Sequence, residues 1–121
     1  MGAPGAGGHV LRLSPAEQAR HTHVPEQDRE RCRLLPTRWW LPQTAATTLG
    51  RWIVIRRELV DDRPLVAHEL VHVRQWREQG IVGFLRRYLA DYIRGRRAGL
   101  DHDAAYRAIP FEIEARNLSG H

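Results

Sequence analysis

The stretch from Asp61 to Gly80 constrains this chain more than any other. Asp61-Asp62-Arg63-Pro64 is a helix start: an aspartate can cap the first free N–H groups, acids suit the positive end of the helix dipole, and proline fits a first turn that needs no N–H. Gly80 is a stop signal, so a helix is predicted from this start to Gln79. It must carry VAHELVHVRQW, residues 66 to 76, in which His68 and His72 stand four apart and Glu69 directly follows the first. Residues four apart share one face of a helix, so both imidazoles can be aimed at one point. Two nitrogens on a rigid element suit a tetrahedral zinc, and a carboxylate beside the first can reach a water at the metal.

The rest of the chain limits what can surround such a helix. At 121 residues it holds one modest core, and 42% hydrophobic with 27% charged residues are globular proportions. No apolar run approaches the roughly 20 residues of a bilayer span. MGAPGAGGHVLRLS lacks the basic and then apolar pattern of a secretory signal. The expectation is therefore a cytoplasmic protein with no transmembrane segment. Cys32 is the single cysteine, which excludes an intrachain disulfide and a four-cysteine zinc scaffold. All 19 basic residues are arginine, and the net charge of +5 permits contact with nucleic acid or anionic lipid without requiring it.

Residues 1–33, rich in Gly, Pro and scattered charge, read as a flexible N-terminal arm, with Cys32 a small residue inside it and a short helix starting at Ser14-Pro15. Residues 34–121 read as the folded domain. Trp39, Trp40 and then TAATTLGRWIVIRREL supply the β-branched and aromatic residues of a hairpin or two short strands around Gly50. A second helix, 81–97, has apolar residues at 81, 85, 88, 89, 92 and 93 and arginines elsewhere; its apolar stripe is expected to cover the histidine helix. Such a basic amphipathic helix can also bind nucleic acid or a membrane surface, but no recognised DNA-binding motif accompanies it. Asp101 or Asp103 can cap a short helix through Ala108, and Pro110 opens a last one, PFEIEARNL. The fold class is α+β: a small sheet or hairpin packed on the HExxH helix with two to three further helices.

A catalytic zinc needs a third protein ligand, and AYRAIPFEIEARN supplies Glu112 and Glu114. Two residues apart on a helix point about 200° from one another, so only one can face the metal. HELVHVRQ followed by IPFEIEA resembles the gluzincin metallopeptidases, in particular short metallopeptidase-like domains of bacterial proteins with HELxHxxQ and PxExEA motifs, over about residues 45–118. The resemblance implies zinc held by His68, His72 and Glu112, with Glu114 the alternative and Ala115 packed beneath the ligand. It also implies hydrolysis of a peptide or protein substrate by a metal-activated water with Glu69 as general base, and a sheet whose edge strand, within Thr44 to Arg57, lies over the helix and takes up an extended peptide. One position departs from the pattern. Many gluzincins carry an aspartate four residues after the ligand glutamate, where this chain has Arg116; Glu114, Asp103 or a backbone carbonyl are the candidates to replace it.

A peptidase also needs a donor for the oxyanion formed on the attacked carbonyl. Tyr106 is the first candidate and His102 the second, with a tyrosine packed under the helix as the alternative role. Gln75 lies on the ligand side of the helix, where it is expected as a partly exposed helix residue or as a hydrogen-bond partner of substrate or a ligand, and Trp76 is expected in the core or as a wall of the site. Two other functional classes remain: a non-catalytic zinc-stabilised module whose arginine-rich helix docks a protein partner, and a basic nucleic-acid-binding protein.

Overall fold

The computed structural model describes residues 10–38 and 44–120. Trp39, Trp40, His9 and His121 lie outside them. The expected hairpin forms from β2 (Ala46–Leu49) and β3 (Trp52–Arg56), antiparallel with Thr48 opposite Ile53, and Gly50 takes the positive φ of 67° that the tight turn requires. On the other side of β3 a parallel strand, β1 (Arg33–Thr37), sets Leu34 opposite Ile53, so the order is β1-β3-β2. This strand has no clear signature, because Pro36 interrupts it; an edge strand tolerates the missing donor. β3 is central, and Ile53, Val54 and Ile55 are all buried.

A 3-10 turn (Arg57–Leu59) leads into α3 (Arg63–Arg97), whose first turn is capped by Asp62 accepting from the Leu65 N–H at 3.0 Å. Every residue from Leu65 to Val73 is buried, which makes this half of α3 the axis of the domain. One core packs Leu65, Val66, Leu70, Val71 and Val73 against Leu34, Ile53 and Ile55 of the sheet. The predicted stop is real: Gly80 leaves helical geometry with φ 76° and ψ 165°, and the chain then resumes as a second helical half. Trp76 and Phe84 nevertheless stack with ring centroids 4.2 Å apart. Eight residues of straight helix would separate them by about 12 Å along the axis, so the break at Gly80 is what folds the second half back. A second core of Trp76, Phe84, Ile109 and Phe111 results.

Two expectations are corrected. The described part of the supposed arm is ordered into α1 (Pro15–Arg20) and α2 (Glu26–Arg31), and Val24 and Cys32 belong to the main core. The physical reason is a long-range ion pair that local composition does not reveal: buried Asp28 accepts two hydrogen bonds from Arg77, at 2.7 and 2.8 Å. The apolar stripe of the second half of α3 does not cover the histidine helix. Ile81, Leu85, Leu89 and Ile93 are exposed, and of the expected stripe only Tyr88 and Tyr92 pack inward, together with Phe84. The chain closes with α4 (His102–Arg107), capped by Asp101, and α5 (Pro110–Ser119). No described helix is long and apolar enough to cross a membrane.

Two tests follow from this packing. Gly80→Ala adds a Cβ that meets no atom within 4 Å, so its cost is backbone strain alone, about 1–3 kcal/mol in urea denaturation. Burial pushes the Cys32 thiol up to about 11, so the folded protein is expected to resist a thiol reagent in mildly alkaline buffer and to react fully once denatured. Rapid labelling of the folded chain would place Cys32 outside the core.

Candidate metal centre

The first half of α3 and the start of α5 meet face to face, and the side chains with metal-binding chemistry lie at that contact. His68 and His72 project from α3 one turn apart, with ring centroids 5.0 Å from each other. Glu112 enters from the first turn of α5, where the helix dipole favours a carboxylate. Its Oε1 is 3.1 Å from His68 Nε2 and its Oε2 is 3.1 Å from His72 Nε2. All three residues are buried, and one ligand atom from each lies within 4.8 Å of the others.

This donor set fits a divalent metal ion. Two imidazole nitrogens and a carboxylate oxygen converge from two rigid helices, and a hard or borderline cation would satisfy all three at once. His68, His72 and Glu112 could thus hold a metal ion. Glu114 is directed elsewhere, accepting from Arg74 at 2.6 Å and from the Gln75 amide at 2.8 Å. The roughly 200° between the two glutamates on one helix separates their roles, as the spacing requires.

The surroundings hold the carboxylate in its charged form. Burial alone would push Glu112 up, but its hydrogen bonds with His68 and His72 outweigh that and keep it well below the ordinary carboxylate range. Tyr88 donates to Glu112 Oε2 at 2.8 Å, and Tyr106 stands near enough to Glu112 and Tyr88 to feel both. Burial and the Glu112 charge raise both phenols far above their usual value, so both remain donors. For His72, burial works against protonation, while the hydrogen bond and charge of Glu112 override it and raise its pKa.

Glu69 faces β2, where the Thr48 hydroxyl is 2.7 Å from its Oε1. The Thr48 carbonyl in turn accepts from the Trp76 indole at 3.1 Å. These two bonds lock the edge strand onto the helix beside the centre. His102 lies apart, bonded to the Tyr92 hydroxyl at 2.9 Å. Arg116 donates to the Arg107 carbonyl at 2.6 Å and Asp103 pairs with Arg107 at 3.2 Å, so neither takes the place of the missing aspartate. The Gln75 Oε1 is instead the group at His72 Nδ1, 2.7 Å away. Tyr88 and Thr48 are the residues that sequence reasoning did not single out. Tyr88 had a faint signal, four residues after Phe84 and hence on the same helix face; Thr48 had none beyond its strand.

A family model described as the eCIS core domain matches residues 42–80. The match spans about a third of the chain, from the hairpin through the HExxH helix to Gly80, and stops short of Glu112. No curated protein and no solved structure matches the chain.

Elemental analysis of the purified protein is expected to find one divalent metal ion per chain, with His72→Ala and Glu112→Ala losing it and Glu114→Ala retaining it. Retention by Glu112→Ala would remove the third ligand from this description.

Proposed function

We propose that this chain is a small zinc-dependent metallopeptidase-like domain of the gluzincin type, hydrolysing peptide bonds with Glu69 as general base. The observation that carries the reading is the convergence of His68, His72 and Glu112 in one buried cluster, with Glu69 adjacent to the first ligand on the same helix. The second support is the edge strand: β2 pairs only with β3 among the described residues and is tied to Glu69 through Thr48. An extended peptide that adds to this edge by backbone hydrogen bonds would lie alongside the base. The eCIS core match covers the edge strand and the helix of His68, Glu69 and His72, and ends before Glu112.

In this mechanism His68, His72 and Glu112 would hold the zinc. When bound, zinc supplies Lewis acidity, which polarises a carbonyl and makes water a stronger acid. The protein's own residues do the rest. Thr48 fixes Glu69 Oε1, and the second oxygen takes the proton of the attacking water and delivers it to the departing amine nitrogen. Tyr106, half-exposed and held protonated, donates a hydrogen bond to the substrate oxygen as negative charge develops on it. Tyr88 stays on Glu112 and keeps that carboxylate oriented.

The test is proteolysis of an unfolded protein substrate by the zinc-loaded chain. Glu69→Gln should lower the rate by about 10²–10⁴ while zinc content stays unchanged, and Tyr106→Phe by about 10². Zinc binding without hydrolysis in any of a broad set of peptides would instead assign a zinc-stabilised interaction module.

A further inference from the structure

Gln75 is the residue at which the tautomer of His72 is decided. It is 1% exposed and uses both ends of its amide. Its Nε2 donates to the Phe111 carbonyl at 3.0 Å and to Glu114 Oε1 at 2.8 Å. Both partners can only accept, so the chemistry of the site, and not an arbitrary choice, identifies this end as the nitrogen. The other end, 2.7 Å from His72 Nδ1, is therefore the oxygen, which can only accept. Nδ1 must carry the proton. In the neutral ring the lone pair is then on Nε2, the atom that stands 3.1 Å from Glu112 Oε2. Two acceptors held at that distance require a cation between or upon them.

We propose that Gln75 is a positioning residue of the metal centre, holding His72 in the Nδ1–H tautomer so that Nε2 is presented to a divalent cation. It takes over, with a neutral amide, the orienting role that a carboxylate often plays for a metal-binding histidine. The amide is itself anchored: Arg74 holds Glu114 at 2.6 Å, Glu114 holds Gln75, and Gln75 holds His72. Because Phe111 directly precedes Glu112 in sequence, the bond to its carbonyl ties the same amide to the element that carries the third ligand. This inference rests on the metal-centre reading of His68, His72 and Glu112, and not on peptidase activity.

The experiment uses the full chain and zinc alone. Gln75→Met keeps the side-chain volume and removes both amide functions. Zinc affinity is measured by chelator competition, and long-range 1H–15N correlation spectra of the zinc-loaded protein report which imidazole nitrogen of His72 carries hydrogen. The natural chain should show zinc on Nε2 and a hydrogen-bonded Nδ1–H. Gln75→Met should weaken zinc binding by about 10–100-fold and displace or abolish that resonance. Should Gln75→Met fail to fold, Glu114→Gln at its half-exposed position removes the charge that anchors the amide, and a smaller loss of affinity in the same direction is expected. Unchanged affinity with the Nδ1–H resonance in place in whichever variant folds would overturn the proposal. Zinc bound through Nδ1 in the natural chain would overturn it as well and leave the metal centre standing, whereas no zinc binding at all would overturn the metal-centre reading itself.

Discussion

One buried carboxylate organises the helical half of this protein. Glu112 reaches into the contact between α3 and α5 and is met by His68 and His72 from the first half of α3, Tyr88 from its second half and Tyr106 from α4. An unpaired charge in such a place would be prohibitive, and a partly satisfied one little better. Satisfying it draws on both halves of α3 at once, with α4 beside them. The requirement thus sets where α3, α4 and α5 stand relative to one another, and the same convergence creates a donor set suited to a metal ion.

That arrangement is possible only because α3 is not straight. Tyr88 lies sixteen residues beyond His72, a distance of about 24 Å on an unbroken helix, yet both touch the same carboxylate. Gly80, at a backbone conformation that other residues reach only under strain, lets the second half turn back. The return is stabilised by aromatic stacking of Phe84 on Trp76 and on Phe111, the latter pair 4.7 Å apart. Trp76 then bonds the Thr48 carbonyl, so the aromatic cluster, the edge strand and the histidine helix form one connected unit. Turning Phe84 and Tyr88 inward leaves Ile81, Leu85, Leu89 and Ile93 facing outward.

The α+β class, the start of the histidine helix, its interruption at Gly80, the hairpin about Gly50 and the helix opened by Pro110 were all legible, because each depends on caps, breakers and periods that act over a few residues. The pair Glu112 and Glu114 was legible as a choice, since helical geometry allows only one of them to face His68 and His72. The helix starting at Ser14-Pro15 was legible from its cap, but the second helix and the docking of residues 15–31 on the domain were not. Their support is the ion pair of Asp28 with Arg77, forty-nine residues away, and nothing in the local sequence reports a contact at that separation. β1 was hidden by Pro36, and the covered face of the second helical half by a stripe of leucine and isoleucine that satisfies the usual pattern while pointing the other way.

By itself, then, the sequence determined which side chains share a helix face: His68 with His72, and Glu69 beside them, because 3.6 residues per turn admits no other arrangement. Only the tertiary structure decided which residues from elsewhere complete that face. Glu112 over Glu114 beside the histidines, Gln75 on His72, Tyr88 on the Glu112 carboxylate and Thr48 on Glu69 all follow from how the helices and the edge strand pack. The reason is that a hydrogen bond is sensitive to tenths of an ångström, and distances between elements are set by the whole core.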